Sequence, residues 1–172
     1  MNRLIIIDGN AILHRAFHAL PPLTAPNGTM VNAVYGFTSM LLRLVSDLSP
    51  THLAVAFDRP APTFRKKLYA DYQIKRPKMD DGLAIQIPLV HDVIKAMEIP
   101  VFEMDGFEAD DVIGTLCSSH TEDMDQIIIV TGDRDLLQLV TEKTKLYMPT
   151  KGLSEAKLYG IQETIERLGV VP

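Results

Sequence analysis

Short unbroken apolar runs alternate along this chain with longer stretches in which apolar residues return every three or four positions. The unbroken runs are Leu4-Ile-Ile-Ile7, Leu53-Ala-Val-Ala-Phe57, Val101-Phe102 and Ile127-Ile-Ile-Val130. Such runs are expected of strands covered on both faces, as in a parallel sheet packed between helices. Between the first two, Leu13 and Phe17 predict a helix over residues 11–20 that ends at Pro21-Pro22. Met30, Val34, Phe37, Leu41, Leu44 and Leu48 then step by fours and threes through an amphipathic helix closed by Ser49-Pro50. Leu83, Ile87, Val90, Ile94 and Met97 predict one further helix, with Asp80 and Asp81 favouring its amino end. A helix over residues 108–119 follows the third strand, with Ala109, Val112, Ile113 and Leu116 inward, and a short helix through Leu136, Leu137, Leu139 and Val140 follows the fourth. Residues 145–148 are expected as a fifth strand and residues 161–168 as a closing helix. This alternation predicts an α/β fold: a three-layer α/β/α, Rossmann-like arrangement with a mainly parallel central sheet, in one domain over residues 1–172. Residues 59–82 break the rhythm. They hold Pro60, Pro62 and Pro77, carry little apolar content and exceed an ordinary strand-to-helix loop, so they read as an insertion after the second strand.

The polar residues gain meaning from that frame, because every predicted core strand runs out into acid. Asp8 follows the first strand, Asp58 the second, Glu108, Asp110 and Asp111 the third, and Asp133 and Asp135 the fourth. Ligands of open parallel sheets bind outside the carboxyl ends of the strands, so these seven carboxylates are expected to converge. Clustered carboxylates repel one another unless they take up protons or cations, and an all-oxygen donor set suits hard divalent ions such as Mg²⁺ or Mn²⁺. The pattern therefore points to a metal site for phosphate chemistry.

The overall charge of −5 seems at first to exclude a polyanionic partner, yet without the seven acids the remainder carries +2. Residues 59–82 alone hold Arg59, Arg65, Lys66, Lys67, Lys75, Arg76 and Lys78 against Asp71, Asp80 and Asp81, a net of +4. A basic flap beside an acidic pocket is what a metal-dependent enzyme acting on a nucleic acid requires: the cations hold backbone phosphates while metal ions offset the carboxylates. Tyr69 and Tyr72 lie in the flap, placed either to stack on an unpaired base or to pack the loop.

Taken singly, each acidic motif also reads as ordinary structure. Asp8-Gly-Asn10 is a common turn in which Asn10 can cap the helix that begins there, and an acid is lacking at position 10 for a phosphatase-type Asp-x-Asp. Glu108-Ala-Asp-Asp111 and Thr131-Gly-Asp-Arg-Asp135 can each be helix starts favoured by the macrodipole. Their joint occurrence at four strand ends carries the metal reading. Other chemistries find less support. His14 and His18 have the spacing of a zinc pair without the Glu of a His-Glu-x-x-His motif, which leaves them as packing or substrate-side groups. A glycine-rich nucleotide loop is missing, and the single Cys117 offers neither a disulfide nor a thiolate zinc site. Every helix-length stretch is interrupted by charge and the start carries no signal-peptide pattern, so a cytoplasmic protein is expected.

As an ordered set the motifs are more specific still. Ile7-Asp-Gly-Asn10, Arg15-Ala-Phe-His-Ala-Leu20, Asn32-Ala-Val-Tyr-Gly-Phe37, Phe57-Asp58, Phe64-Arg65, Gly106-Phe-Glu-Ala-Asp-Asp-Val-Ile-Gly114 and Thr131-Gly-Asp-Arg-Asp135 resemble the 5′-3′ exonuclease and flap endonuclease family, which has a PIN-like fold and includes the amino-terminal 5′-nuclease domain of bacterial DNA polymerase I. The resemblance spans the whole chain. It implies metal-dependent hydrolysis of DNA phosphodiesters at a 5′ end, flap or nick, in replication or repair, with two Mg²⁺ or Mn²⁺ ions. By position, Asp8, Asp58, Glu108, Asp110 and Asp111 correspond to the family's first metal group, and Asp133 and Asp135 to its second. Residues 59–82 correspond to the arch over a single-stranded 5′ end, with Arg65, Lys66, Lys67, Tyr72, Gln73, Lys75 and Arg76 as nucleic-acid contacts and Arg76 also as a catalytic group. The arch departs from the family's Tyr-Lys-x-x-Arg: Tyr72-Gln-Ile-Lys-Arg76 places Gln73 where a lysine is usual, with Lys75 as the nearest substitute. Family members continue past the position of Pro172 into further second-metal acids and a helix-hairpin module, so a polymerase domain or another chain is expected as the partner supplying the duplex grip. A DNA-binding module without activity and a small ribonuclease remain the alternative readings.

Overall fold

The computed structural model describes residues 1–69, 71, 72, 78–151 and 155–172. Its centre is strand β1 (Arg3–Asp8), in a six-stranded sheet of order β3-β2-β1-β4-β5-β6. Strands β2 (His52–Ala56), β3 (Val101–Phe102), β4 (Gln126–Val130) and β5 (Thr144–Lys151) run parallel to their neighbours, and β6 (Glu155–Tyr159) closes one edge antiparallel to β5. The register is direct: Ile7 lies beside Val55 on one side and Val130 on the other.

The pleat sorts each apolar run into two cores. Ile5, Ile7, Val55, Ile128 and Val130 face one side, where they meet helices α1 (Gly9–Ala19), α2 (Asn32–Leu48) and, farther along, α5 (Ile87–Ala96). Leu4, Ile6, Ala56, Ile127 and Ile129 face the other, beneath α6 (Ala109–His120), the 3₁₀ segment Asp135–Leu139 and Ile161 at the start of α7 (Ile161–Leu168). Ile5, Ile6, Ile127 and Ile129 are fully buried, each worth about 1.5–3 kcal/mol of transfer free energy. The expected three-layer architecture is present.

Three local expectations are corrected. The helix anticipated from Leu83 to Met97 is two: α4 (Asp81–Ala84), capped by the Asp80 carboxylate accepting from Gly82 N–H at 2.7 Å, and α5. Pro88, in the first turn of α5, has no N–H for the Ala84 carbonyl, so a continuous helix would lose a bond and gain a clash there. The insertion contains a short helix, α3 (Phe64–Leu68), hidden in the sequence because none of its residues is buried. Strand β6 was not anticipated, and its burial pattern, with only Tyr159 fully enclosed, explains why alternation gave no signal.

A buried amide knot ties α4 and α5 to α2. Fully enclosed Gln86 accepts from Ala33 N–H (2.8 Å) and Val34 N–H (3.3 Å) and donates to the Gly82 carbonyl (2.9 Å) and to Asn32 Oδ1 (3.0 Å). Asn32 in turn donates to the Phe17 carbonyl at 3.0 Å. The amino end of α2, which has no side-chain cap of its own, is thus capped from a segment over fifty residues away. Among the described residues no helix is long and apolar enough to cross a membrane.

Helices α1 and α2 touch through Gly36, where an added Cβ would stand 2.8 Å from the Ala16 Cβ and 3.3 Å from its Cα. Gly36→Ala is therefore expected to destabilise the protein by about 1–3 kcal/mol in chemical denaturation. Gly114→Ala, in the middle of α6 with only Leu139 at 3.8 Å, is expected to stabilise it by about 0.5–1 kcal/mol. Equal effects at the two positions would refute the packing account.

Candidate active site

The sheet changes direction of winding at β1: the chain passes from β1 outward to β2 and β3, then returns across to β4 on β1's other side. A crevice opens at such a point, beyond the carboxyl ends of the strands. Here it is a cleft of about 1140 Å³.

Asp8, Asp58 and Asp133 reach it from turns that their own carboxylates help to hold. Asp8 ends β1 and caps α1, with Oδ1 accepting from Ala11 N–H at 3.0 Å and Oδ2 from the Thr131 hydroxyl at 2.7 Å. Gly9 is required beside it, because a Cβ there would lie 2.4 Å from the Phe57 ring. Asn10, expected as a cap, instead lies inside α1 and accepts from Asp58 N–H at 2.8 Å, fixing the turn after β2. The Asp58 carboxylate accepts from Ala109 N–H at 2.7 Å and so fastens that turn to the start of α6. Fully buried Thr131 also accepts from Asp133 N–H (2.9 Å), and Asp133 accepts from Asp135 N–H (2.9 Å).

Six of the seven predicted acids, Asp8, Asp58, Glu108, Asp110, Asp133 and Asp135, line this cleft. Asp111 does not. Its carboxylate is gripped by both Arg65 guanidinium nitrogens, at 2.6 and 2.7 Å, and accepts from Glu108 N–H at 3.0 Å. A step of one residue along α6 turns a side chain by about 100°, which sends Asp110 into the cleft and Asp111 toward α3.

The charges show their proximity. Burial first, then the carboxylates of Asp8, Asp133, Asp58 and Glu108, push the Asp110 carboxyl up to about 7. Asp8, enclosed in the same way, is also raised, mainly by desolvation. Asp111 moves in the opposite direction, held below the ordinary range by its hydrogen bonds from Arg65. Among the described residues, no group of three or more His, Cys, Asp or Glu side chains is arranged closely enough to hold a metal ion. The acids line one cleft, and oxygen-only donors gathered in this way are of the type that suits hard divalent cations.

The insertion residues divide. Tyr72 lines the cleft and donates to Glu108 Oε2 at 3.1 Å. Lys66 borders an adjoining hollow of about 280 Å³ that shares Asp58, Tyr72 and Glu108 with the main cleft, and Lys67 is exposed on α3. Gln73, Lys75 and Arg76 lie outside the described residues. Sequence reasoning assigned no role to Thr131, Arg15 or Arg134 and counted Lys78 among the cations of the basic flap; Arg15, Lys78 and Arg134 line the cleft together with His14 and His18. Thr131 and Arg134 sit within the Thr131-Gly-Asp-Arg-Asp135 motif, and Arg15 and His18 recur at helical spacing in the run that follows Asp8, so a signal was present.

An open sheet that reverses its winding at β1, with a cleft beyond the carboxyl ends of its strands, defines the class of doubly wound α/β domains, and comparison with known proteins narrows it. The family described as 5′-3′ exonuclease, N-terminal resolvase-like domain, matches residues 3–169, and the chain belongs to it. It is 40% identical over 172 residues to a 5′-3′ exonuclease of Aquifex aeolicus, covering all of this chain and 58% of that protein. To the DNA polymerase I of Geobacillus stearothermophilus it is 39% identical over 169 residues, 98% of this chain and 19% of the polymerase. The chain thus spans little more than half of one relative and about a fifth of the other. In structure it is similar to the T5 D15 protein co-crystallised with metal ions (TM-score 0.75, 18% identity, 98% of this chain and 61% of that one). It is also similar to flap endonuclease-1 of Methanococcus jannaschii (TM-score 0.61, 16% identity, 98% and 60%), likenesses that show a shared fold.

The raised carboxyls give a pH dependence with a definite sign. Asp110, at about 7 when folded against an ordinary 3.8, binds its proton more tightly in the folded state, so its contribution to stability is lost as pH rises from about 4 to about 7. Asp8 acts in the same direction, while Asp111 acts oppositely and only below the ordinary carboxylate range. In chelator, Asp110→Asn is therefore expected to gain thermal stability relative to the parent as pH rises through that window, and added divalent cation should remove the gain. A Tm difference independent of pH would refute the assignment.

Proposed function

We propose that this domain hydrolyses DNA phosphodiesters at 5′ ends, flaps or nicks, in replication or repair, using Mg²⁺ or Mn²⁺, with two ions as the working number. The observation that carries the reading is the single cleft lined by carboxylates from four strand ends and walled by Arg15, Lys78 and Arg134. Membership of a 5′-3′ exonuclease domain family supports it, as do the Aquifex exonuclease and the structural likeness to a T5 flap endonuclease complex with DNA and metal ions.

In this reading Asp8, Asp58, Glu108 and Asp110 hold one divalent ion, and Asp133 and Asp135 contribute to a second. Bound there, such ions supply the Lewis acidity that activates water and offsets charge on the phosphoryl group. The protein's part is positioning. Hydrogen bonds to backbone N–H groups and hydroxyls hold Asp8, Asp58 and Asp133 in place, so little reorganisation of these groups accompanies the reaction. Arg15, Lys78 and Arg134 neutralise phosphates of the entering strand, and Lys66 and Lys67 extend that field along the insertion. Tyr72 presents a ring at the cleft's edge for a base to stack against. The resemblance adds Gln73, Lys75 and Arg76 as phosphate contacts, with Arg76 offsetting charge at the scissile group. A polymerase domain or another chain gripping the duplex is the partner this reading calls for.

The purified chain is to be incubated with end-labelled flap, nicked and single-stranded DNA, and with matching RNA, in Mg²⁺ or Mn²⁺. Cutting near the 5′ end of DNA, abolished by chelator and reduced at least about 100-fold in Asp110→Asn and Asp133→Asn, is expected. DNA binding without cutting would establish the binding-module alternative, and preference for RNA would overturn the substrate.

A further inference from the structure

Arg65 and Asp111 both fall in segments that the resemblance assigns to DNA and metal contact, yet the structure spends them on each other. The fork of Arg65 meets both Asp111 oxygens at 2.6 and 2.7 Å, the bidentate geometry that fixes orientation as well as distance. Asp111 Oδ2 also accepts from Glu108 N–H at 3.0 Å, and Arg65 Nη1 lies 3.6 Å from Glu108 Oε2. Around this pair the insertion is fastened to the loop before α6 at further points. Phe64 N–H donates to the Gly106 carbonyl (2.8 Å), the Phe64 and Phe107 rings are 5.6 Å apart, and the Thr63 hydroxyl lies 3.4 Å from Glu108 Oε1. Asp111 is absent from the cleft lining, whereas Asp110, the next residue, belongs to it.

We infer that Arg65 and Asp111 are a positioning pair, which clamps α3 onto the amino end of α6 and thereby sets Glu108 and Asp110 in the cleft, rather than a DNA contact and a metal ligand. The inference rests on the nuclease reading for its effect on rate, but not for its effect on metal binding or on coupling. A carboxylate engaged by a guanidinium fork and a backbone N–H has its strongest acceptor directions filled, and taking up a cation would mean breaking that fork. Arg65, for its part, has its paired donors committed, while Lys66 and Lys67 on the same short helix stand exposed and are the candidates for phosphate on α3.

The test uses Arg65→Met, Arg65→Lys, Asp111→Asn and the double variant Arg65→Met/Asp111→Asn in the full chain, with three readouts: Mn²⁺ titration, affinity for a single-stranded DNA in Ca²⁺, and single-turnover cutting of a 5′-flap DNA in Mg²⁺. Expected are single-variant rates lowered by similar factors, about 10–100-fold, and a double variant no slower than the worse single, since residues acting as a unit are non-additive. Mn²⁺ affinity and stoichiometry of Asp111→Asn should stay within about threefold of the parent, against a clear loss in Asp110→Asn. DNA affinity of Arg65→Met should likewise stay within about threefold, and Arg65→Lys should recover only part of the rate because lysine cannot present the fork. A lost Mn²⁺ site in Asp111→Asn would make Asp111 a ligand, a tenfold weaker DNA complex in Arg65→Met would make Arg65 a DNA contact, and additive rate losses would dissolve the pair; each overturns the inference. Should the parent cut nothing, the nuclease reading fails, and the pair stands or falls on Mn²⁺ binding and on whether the two substitutions are coupled in urea denaturation.

Discussion

Like charges gathered at one mouth of a sheet must be held against their repulsion, and in this domain the carboxylates themselves are the stitches. Asp8 joins β1 to α1 and, through Thr131, to the end of β4; Asp58 joins the turn after β2 to α6; Asp133 closes the turn after β4 on Asp135. Each bond spends one oxygen on a backbone or hydroxyl donor and leaves the acid facing the cleft. Charge-assisted bonds of this kind contribute roughly 1.5–3 kcal/mol apiece, so the same residues that create the electrostatic cost also secure the strand ends on which the sheet's register depends. The residual cost is visible in the raised carboxyls of Asp110 and Asp8, where repulsion and desolvation exceed the compensation. Repulsion and desolvation are thus concentrated at the mouth of the sheet, above a core that the same residues help to fasten.

The sheet was legible because burial on both faces leaves an unmistakable record: β1, β2 and β4 are apolar at nearly every position, and their ends could be placed within a residue. The convergence of acids followed from topology, since parallel strands that all run out into acid must gather it on one edge. What the sequence did not disclose depends on partners far along the chain. Asn10 looks like a cap until Asp58 is placed beside it, and Thr131 looks like a strand end until Asp8 is. Asp110 and Asp111 are identical in type and adjacent, so only the angular step of α6 and the presence of Arg65 distinguish the one facing four acids from the one facing a cation. Helix α3 and strand β6 bury too little apolar surface to leave a periodic signal.

The division of labour within the acidic motif follows from that helical step. Three acids in four residues exceed what a helix amino end needs, and the structure shows why each is there: Glu108 meets the insertion through Thr63 and Tyr72, Asp110 enters the cleft, and Asp111 binds Arg65 while bonding back to Glu108 N–H. One turn of helix therefore carries a reactive face and an anchoring face, and the macrodipole favours both.

The two ends of the basic insertion are anchored by different physics. On leaving β2 it is fixed to α6 by Arg65, Thr63 and Tyr72, through side chains that remain partly exposed: Arg65 is 31% and Asp111 23% accessible. Part of the Coulombic attraction in such a partly exposed setting is screened by salt. On returning, it enters α4 through fully buried Leu83 and Gln86, whose amide satisfies α2's otherwise uncapped N–H groups and whose release would leave several buried polar groups without partners. On the α6 side, those contacts of the insertion are thus the same ones that hold Glu108: the Thr63 hydroxyl, the Tyr72 hydroxyl and the Arg65 guanidinium.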